Sequence, residues 1–222
     1  MYYKTCVYWY SIFENQYRTE KLCPIAHTCR VFGVENLGKR FANNWVFRGL
    51  TFDLNPGDAL IVLGANGSGK STLLKIVAGL LSPTEGSIQT TKDDPRTSVG
   101  LSALDMQTYA HLTVEEHIML AAQLRGITGD ASLLSKVGLS ERKHQFAMEL
   151  SSGMRARLKL GLAIQAKPKL LLLDEPGAGL DESGRNMLEQ ICHEQRERGC
   201  LLLATNDPNE RRLRTLELNL AS

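Results

Sequence analysis

The sequence predicts an α/β fold built on a mostly parallel sheet, and three observations support that prediction. Three apolar runs of strand length, residues 59–63, 170–173 and 200–205, have no polar residue before their ends. Uninterrupted apolar runs are typical of parallel strands that are buried on both faces. Apolar residues recur at helical spacing in 71–81 and 182–198, between these runs. Strands that alternate with helices indicate parallel strands joined by crossover connections.

Length and composition indicate one large domain, or a core with one subdomain. The 222 residues are 43% hydrophobic, which is enough for a globular interior, and carry a formal net charge of +2. A charge this close to neutral gives no sign of nucleic-acid binding, so we expect no nucleic acid among the partners. No apolar stretch approaches the roughly 18 residues that a membrane span needs, so the chain is expected to be soluble by itself.

The cysteines predict a reduced, cytosolic protein. The five of them include no C-x-x-C pair, and their odd number leaves one without a disulfide partner. We therefore expect free thiols and assign them no metal. These residues are Cys6, Cys23, Cys29, Cys192 and Cys200.

Residues 1–29 differ from the rest of the chain because aromatic residues crowd there without a clear period. No small-residue cleavage site follows an apolar core, so the segment is not a signal peptide. It is expected to be an N-terminal extension that is poorly ordered, or a misplaced start of the reading frame. An aromatic contact with a membrane surface or a partner is the alternative, and we assign the segment no function.

The stretch from Gly64 to Thr72 fits the phosphate-binding loop G-x-x-x-x-G-K-[ST] with every fixed position filled. It joins the strand predicted at 59–63 to the helix predicted at 71–81, which is the context that the motif requires. Glycines let backbone N–H groups turn toward one point, and the helix start adds partial positive charge. The stretch is therefore predicted to bind nucleotide phosphates. Its members are Gly64, Ala65, Asn66, Gly67, Ser68, Gly69, Lys70, Ser71 and Thr72.

Two side chains of this loop have predicted roles of their own. Lys70 supplies a positive charge to the outer phosphates, and the Ser71 hydroxyl is a ligand for Mg²⁺. Each hydrogen bond to a charged oxygen contributes roughly 1.5–3 kcal/mol, so several converging donors can hold a triphosphate firmly. A glycine-rich turn that matches the pattern by chance is the alternative, and the flanking strand and helix argue against it.

Two carboxylates, Asp174 and Glu175, end the apolar run 170–173. The carboxyl ends of parallel strands meet at the sheet edge where α/β proteins bind ligands, and the phosphate loop belongs to that edge. Asp174 is therefore predicted to hold Mg²⁺ through its water shell, and Glu175 to orient and deprotonate an attacking water. An ordinary polar end of a strand is the alternative interpretation.

Around these motifs the pattern predicts an opening β-meander and a helical insertion. Strand character is present before the phosphate loop and shortly after its helix, and it stops between Thr113 and Leu150. The expected strands are 29–41, 46–54, 87–90 and 97–101, and the expected helices of the insertion are 115–125 and 131–137.

The stretch from Leu150 to Arg157 opens a helix with two serines and a glycine, which indicates a second anion site. Ser151 and Ser152 are N-cap-type residues, so the stretch presents unpaired N–H groups and the positive end of a helix dipole. It has no phosphate loop of its own. A plain helix start is the alternative.

With this stretch the chain resembles the nucleotide-binding subunit of ABC transporters, over about residues 31–207 and in five matched elements. By this resemblance, Leu150 to Met154 stand in place of the family signature Leu-Ser-Gly-Gly-Gln, so Ser151, Ser152 and Gly153 are expected to contact nucleotide. The phosphate loop and the stretch that begins with Asp174 are two further matches.

The remaining two matches add one binding residue each. Phe41 takes the place of the family's aromatic residue that stacks on adenine. The stretch from Gly179 to Asp181 matches the loop that links the two nucleotide sites, so the resemblance adds Asp181 to the binding residues.

The resemblance also implies architecture and activity. It implies a P-loop NTPase core within an ABC-type ATP-binding domain of residues 30–222, with an N-terminal antiparallel β-subdomain and a small helical subdomain at about 103–155. The cofactors it implies are ATP and Mg²⁺. Two copies are expected to close head to tail over two nucleotides, so that each signature helix faces the γ-phosphate bound by the other copy.

By the same resemblance, ATP hydrolysis drives transport through a separate transmembrane permease subunit. The chain is then cytoplasmic and peripheral on the inner face of the cell membrane, and its length fits a subunit better than a fused transporter. A soluble ABC-type ATPase that acts as a regulatory or assembly factor is the alternative, although tandem modules and a coiled-coil insertion are absent from the sequence. A module that binds ATP and barely hydrolyses it is a third hypothesis.

Three departures from the family pattern affect these expectations. In the signature, Ser152 and Met154 replace Gly and Gln, a mild change because the anion contacts come from Ser151 and backbone N–H groups. Leu104, with Asp105 and Gln107 as neighbours, falls where the family has a glutamine that contacts Mg²⁺ and water, so that residue stays unassigned. Asn206 replaces the switch histidine, and it is expected to act in catalysis as a neutral donor to the γ-phosphate. An asparagine that points to solvent and caps the turn at Asp207 and Pro208 is the alternative.

Overall fold

The computed structural model of the chain describes residues 31–90, 93–130 and 132–220. The prediction for residues 1–29 therefore lies outside the described residues. The described strands form two sheets, one of three strands and one of five. None of the described helices combines the length and the apolar composition needed to cross a lipid bilayer.

The smaller sheet is antiparallel. Strand β1 (Phe32–Phe41) pairs with β2 (Asn44–Leu54) on one side and with β4 (Glu85–Thr90) on the other. The expected meander is correct only for β1 and β2, because the next strand, β3 (Ala59–Leu63), enters the larger sheet and β4 returns to β1. The sheet therefore covers the core as a separate layer.

The larger sheet is parallel throughout, with the strand order β5-β6-β7-β3-β8. The three central strands are β3, β6 (Leu170–Asp174) and β7 (Cys200–Ala204). Every residue of these three strands is buried, as the apolar runs predict. The sheet is completed at one edge by β5 (Val99–Ser102) and at the other by β8 (Leu216–Asn219). Strand β8 was not predicted, because its short Leu-Glu-Leu-Asn sequence has no buried run.

Helices connect the strands of the larger sheet. In chain order they are α1 (Lys70–Val77), α2 (Pro95–Ser98), α3 (Val114–Arg125), α4 (Ser132–Lys136), α5 (Ser152–Ile164) and α6 (Glu182–Arg198). Short 3-10 segments lie at Ser140–Arg142, Ala147–Glu149 and Glu210–Leu213. The helix expected at 182–198 agrees with α6 at both ends.

The helix expected at 71–81 and the strand expected at 97–101 are among the elements whose ends differ from the structure. Helix α1 stops before the expected Leu81 because Gly79 takes a left-handed φ of 75°. The strand expected at 97–101 begins only at Val99, since Asp94 caps a helical turn by accepting a hydrogen bond from the Arg96 N–H at 2.9 Å. Pro95 at the first position of that turn favours the helix further.

The helical insertion follows its sequence signals closely. Thr113 and Glu116 form a capping box, with the Glu116 N–H donating to the Thr113 hydroxyl at 3.2 Å and the Thr113 N–H donating to Glu116 at 2.7 Å. Gly126 ends α3 with a left-handed φ of 67°. The division of the chain into a core and subdomains stays a prediction.

The core lies on both faces of the parallel sheet. Successive strand residues point to opposite faces, so Ile61 packs toward α5 and α6 while Leu60 and Val62 pack toward α1 and β1. Strand register then brings three carboxyl ends together, because Asp174 pairs with Ala204 and Ala204 pairs with Val62. The segments that follow β3, β6 and β7 leave the sheet at one edge.

Candidate functional site

The phosphate loop occupies the turn between β3 and α1, and its backbone allows no side chains at two positions. Gly64, Gly67 and Gly69 all have positive φ, at 155°, 87° and 99°. A Cβ on Gly64 would overlap the Ser68 side chain, and one on Gly69 would overlap Val46 of β2. Conformation therefore favours glycine at all three positions, and close packing requires it at Gly64 and Gly69.

Lys70 is held inside this loop. Its side chain is 7% exposed, and Nζ donates to the carbonyl oxygens of Gly64 at 2.7 Å and Ala65 at 3.3 Å. The same nitrogen lies 3.9 Å from Oε1 of Glu175. A positive charge is thus fixed where the loop turns, next to the carboxylate predicted to be catalytic.

Asp174 ends β6 as a buried carboxylate with one free oxygen. Burial raises the pKa of its carboxyl, and a hydrogen bond with the Ser71 side chain opposes that shift. Among the described residues, no partner lies within hydrogen-bond distance of Oδ1. Mg²⁺ prefers hard oxygen ligands, so the free oxygen of Asp174 and the adjacent Ser71 hydroxyl fit this ion.

Glu175 has a backbone conformation that is rare for a residue with a side chain. Its φ is +45°, in the left-handed region, and its N–H donates to the Ala204 carbonyl at 2.8 Å. Such strain persists only where the surroundings fix it, and it is concentrated at functional sites. This turn places the Glu175 carboxylate beside Lys70 and the residue that follows β7.

That residue, Asn206, touches both the phosphate loop and Glu175. Its N–H lies 3.4 Å from Oε2 of Glu175. Its side-chain amide satisfies its neighbours best with the nitrogen donating to the Gly64 carbonyl at 2.9 Å and the oxygen accepting from Lys70 at 3.2 Å. Turned over, the amide nitrogen lies 3.3 Å from Glu175 and from Asn66. Asn206 therefore lies at the site in both orientations.

Sequence reasoning missed Glu210, which is buried close to this site. Burial raises the pKa of its carboxyl, while hydrogen bonds from the Thr205 hydroxyl and the Gly177 N–H oppose the shift. Its Oε2 lacks a partner among the described residues, and a Cβ on Gly177 would overlap Oε1. Glu210 thus joins the turn after Glu175 to the segment after Asn206. No local pattern in the sequence indicates that this carboxylate is buried.

The signature stretch begins α5 as predicted. Ser151 is the N-cap, and its hydroxyl accepts from the Met154 N–H at 3.2 Å. Ser151 and Ser152 are exposed. A Cβ on Gly153 would lie 2.8 Å from the Gly179 carbonyl oxygen, so the helix start packs tightly against the loop that leads to Asp181.

Asp181 is engaged within its own chain. It caps α6 by accepting from the Gly184 N–H at 3.0 Å, and Arg157 of α5 donates to it at 2.5 Å. The hydrogen bond from Arg157 is the largest cause of a lowered pKa of the Asp181 carboxyl. A contact between Asp181 and nucleotide stays a prediction.

Phe41, the residue predicted to stack on adenine, ends β1 with an exposed ring. The Lys39 ammonium lies 4.9 Å from the ring centroid, a cation–π contact. Half of the Phe41 side chain is exposed, so its ring has an open face. Stacking on adenine stays a prediction.

A cavity of about 210 Å³ lies beside the two carboxylates. It links the end of β6, the loop after β5 and the start of α5. The lining includes Ser102, Leu104, Ser152, Lys159, Asp174 and Glu175. The carboxyl edge of the sheet is therefore open toward the loop after β5 and the start of α5.

The two described cysteines are free, in agreement with the sequence prediction. Cys192 and Cys200 are buried, and burial raises the pKa of each thiol to about 12. Among the described residues, no group of histidine, cysteine and acidic side chains could hold a metal ion by itself.

Because the phosphate loop, the buried Asp174 and the strained Glu175 meet at the carboxyl edge of a parallel sheet, the fold and the site define a phosphate-loop ATPase. Comparison with known proteins identifies the family. The family model described as ABC transporter matches residues 47–178, more than half of the chain. The chain belongs to the ABC transporter family as its ATP-binding cassette, which confirms the predicted family and fold class.

Two curated relatives and one solved structure illustrate the likeness. The ergothioneine transport ATP-binding protein EgtV of Helicobacter pylori is 33% identical over 80% of this chain and 90% of its own length. The linearmycin resistance ATP-binding protein LnrL of Bacillus subtilis is 30% identical over 78% of this chain, which spans 60% of LnrL. A solved ATP-binding subunit of an ABC transporter is 27% identical, with a TM-score of 0.76 over 85% of each chain.

Proposed function

We propose that this chain binds and hydrolyses ATP and that dimer closure around ATP powers a membrane transporter. The observation that carries the proposal is the meeting of Lys70, Asp174 and Glu175 at one sheet edge, with Lys70 and Glu175 3.9 Å apart. A bound triphosphate needs a positive charge at its outer phosphates, a metal-binding carboxylate and a base. These three residues provide them in one place.

Each residue at the edge has a separate task. Backbone N–H groups of residues 64–72 and the Lys70 ammonium bind the phosphates, and the Ser71 hydroxyl and Asp174 hold Mg²⁺. When bound, Mg²⁺ neutralises charge on the phosphate oxygens. Glu175 accepts the proton of the attacking water. Its contacts with Lys70 and Asn206 fix the carboxylate, so little reorganisation is needed.

Asn206 acts as a neutral donor at the γ-phosphate. Its amide already reaches the Gly64 carbonyl and Lys70, both part of the phosphate loop. As an uncharged group it contributes about half of what a charge-assisted hydrogen bond would contribute to the transition state. Slow basal turnover is therefore expected.

A second copy of the chain supplies the signature stretch. The exposed Ser151 and Ser152 lie at the start of α5, where the positive end of the helix suits a γ-phosphate. Among the described residues, the Ser151 hydroxyl bonds to the Met154 N–H and so caps its own helix. In a head-to-tail dimer the same group faces the nucleotide of the other copy, and Asp181 and Phe41 contribute to the nucleotide sites.

A transmembrane permease subunit is the proposed partner, which places the chain on the inner face of the cell membrane. The names of EgtV and LnrL, a transport protein and a resistance protein, favour this partner. Exposed apolar side chains also cluster where residues 109–112 meet residues 146–148, since the Ala147 N–H donates to the Leu112 carbonyl at 2.9 Å. The cluster consists of Tyr109, Phe146 and Met148, with Leu104 nearby in sequence.

An exposed apolar cluster of this kind marks an interaction surface. The test is to coexpress the tagged chain with its host's membrane proteins, purify it in detergent, and identify the membrane protein that is retained. Met148→Asp should abolish retention of the membrane protein and leave Mg·ATP binding unchanged. Leu216→Asp, on β8 at the far edge of the larger sheet, should leave both retention and Mg·ATP binding unchanged. ATP hydrolysis without any retained membrane protein would instead support the regulatory or assembly factor.

A further inference from the structure

Glu210 is a buried carboxylate beside the residues that are proposed to carry out hydrolysis. It is 8% exposed, and within the described part of the chain its Oε2 has no hydrogen-bond partner. A carboxylate that is shielded from water costs free energy unless other groups compensate for its charge. Groups that cost stability in this way are typical of functional sites. The contacts of Glu210 indicate which part of the site it serves.

The Glu210 carboxylate lies directly against the backbone of Gly177. A Cβ on Gly177 would overlap Oε1 of Glu210 and lie 3.4 Å from its Cδ. The Gly177 N–H donates a hydrogen bond to this carboxylate. Gly177 is not among the described glycines with positive φ. The close approach of Glu210, rather than the backbone conformation, therefore excludes a side chain at this position.

Gly177 lies inside the turn that gives Glu175 its strained conformation. The Ala178 N–H closes this turn by donating to the Glu175 carbonyl at 3.1 Å, and the φ of Glu175 is +45°. A residue with a side chain keeps such a conformation only where neighbouring groups fix it. Glu210 is one of these groups, because it holds the turn two residues after Glu175.

The segment that carries Glu210 is itself anchored in the core. Glu210 begins the 3-10 segment Glu210–Leu213, and Leu213 at its end is buried in the core on one face of the parallel sheet. The Arg211 N–H also donates to the Asp207 carbonyl at 3.3 Å. Glu210 therefore reaches the turn from a fixed position.

A second contact joins Glu210 to the segment that carries Asn206. Thr205 is buried, and its hydroxyl oxygen accepts a hydrogen bond from the Asp207 N–H at 2.9 Å. Its hydroxyl proton stays available and is donated to Glu210. Asn206 follows directly, and its N–H lies 3.4 Å from Oε2 of Glu175. One carboxylate thus contacts both of the segments that bring Glu175 and Asn206 together.

We propose that Glu210 is a positioning residue for ATP hydrolysis, because its carboxylate holds the turn of residues 175–178 so that Glu175 faces the attacking water. The inference rests on the proposed role of Glu175 as the base. Without Glu210 the strained turn relaxes and the Glu175 carboxylate moves, and a misplacement of about 1 Å can slow a reaction about 100-fold. ATP binding should be unaffected, since the phosphate loop holds Lys70 with its own carbonyl oxygens.

The test disturbs the contact in two ways and measures kcat and KM for ATP hydrolysis, together with the Kd of the monomer for ATP. Glu210→Ala removes the carboxylate, and Gly177→Ala pushes it aside, because the new methyl group meets the flexible end of the Glu210 side chain. Each variant should lower kcat roughly 10- to 100-fold and leave KM and Kd unchanged. A loss of ATP affinity as large as the loss of kcat would mean general damage and overturn the inference.

Two further variants show whether the lost rate belongs to this contact. Glu210→Gln keeps the size of the side chain and an oxygen that accepts from the Gly177 N–H, so it should retain most of the parental kcat. Glu189→Ala removes an exposed glutamate of α6 and is the matched control, with parental values expected. If Glu210→Gln is as slow as Glu210→Ala, the acceptor at Gly177 does not carry the effect and the inference is overturned.

The double variant of Gly177→Ala and Glu210→Ala tests whether both changes act through the same contact. It should be no slower than the slower single variant, because removal of Glu210 makes room for the new methyl group. Losses that multiply, or a parental kcat for either single variant, would overturn the inference. Urea denaturation shows which variants are folded, and Gly177→Ala with Glu210→Gln decides if Glu210→Ala is not. Absence of ATP hydrolysis in the parent chain would instead overturn the proposed function.

Discussion

The phosphate-binding half of the site and the signature half are built in opposite ways within one chain. Lys70 and Asp174 are buried, Glu175 is strained, and these groups contact one another or the phosphate loop. Ser151 and Ser152 are exposed, and within the described part of the chain the Ser151 hydroxyl accepts a hydrogen bond from the Met154 N–H of its own helix. One half is preorganised by its own chain, and the other presents its donors outward.

This difference between the two halves bears on which ligand the signature half binds. Burying Lys70 and Asp174 costs free energy unless each is paired, so the phosphate half has a strong reason to bind phosphate and metal. The signature half carries no such cost, since water satisfies its exposed groups. In the proposed head-to-tail dimer, these exposed groups face the nucleotide that is bound by the second copy.

The largest effect is expected in the phosphate half, from Glu175→Gln. The amide keeps the shape of the side chain but cannot accept the proton, so ATP hydrolysis should fall roughly 10²- to 10⁴-fold while ATP binding is kept. The variant should accumulate as an ATP-bound dimer, seen by size-exclusion chromatography. Glu182→Gln on α6 is the control. Turnover near the parental rate would remove Glu175 from the role of base.

Variants in the two halves should affect two different steps, namely ATP binding by the monomer and closure of the dimer. Lys70→Ala removes a buried charge held by the loop, and should weaken ATP binding by the monomer roughly 10- to 100-fold. Ser151→Ala should leave monomer binding nearly intact and impair dimerisation and turnover. Isothermal titration with ATP distinguishes them. Equal loss of monomer binding in both variants would show that Ser151 acts within its own chain.

Much of the phosphate half could be predicted from the sequence, because its constraints are local. The loop Gly64 to Thr72 needs glycines at fixed spacing, and the run that ends in Asp174 needs uninterrupted apolar residues for a buried strand. Both signals depend only on neighbouring residues. The bounds of α6 were predictable for the same reason, since Asp181 and Gly199 flank a helical pattern.

The rest depends on contacts between distant segments, which no local pattern reports. Glu210 is polar and lies near a turn, so its burial against Gly177 is visible only in three dimensions. Strand β8 is a strand only because β3 offers it a parallel edge. The ion pair between Asp105 and Lys75 likewise joins residues that are thirty positions apart in the chain.

A smaller effect tests how Asn206 contributes to the phosphate half. Asn206→Ala removes the amide contacts with Gly64 and Lys70, and should lower ATP hydrolysis severalfold with little change in ATP affinity. Asn206→His should be tolerated or faster, because histidine can donate with a positive charge. Steady-state hydrolysis with the membrane partner present measures both. A parental rate for Asn206→Ala would show that the chain senses the γ-phosphate otherwise.

The smallest effect concerns stability and comes from Glu210. Its folded-state pKa is raised above 4.5, so the folded protein holds this proton more tightly than the unfolded chain, and stability falls as pH rises from about 4.5 through the raised value. Glu210→Gln keeps the shape without the charge. At pH 7 to 8 it should stabilise the fold by about 1 kcal/mol in urea denaturation.

The pH dependence of that difference is its control. The gain from Glu210→Gln should vanish at pH 4, where the parental carboxyl is protonated in both states. A variant that is less stable than the parent at pH 8 would mean that the bonds of the charged carboxylate to Gly177 and Thr205 outweigh its burial.

The most direct test of the division into two halves is to mix Lys70→Ala with Ser151→Asp and measure ATP hydrolysis. Aspartate keeps the N-cap of α5 but opposes a γ-phosphate with negative charge, so each variant alone should be nearly inactive. A head-to-tail mixed dimer regains one intact site, and random exchange should restore about a quarter of the parental rate. A mixture no more active than the average of the two variants would contradict the account.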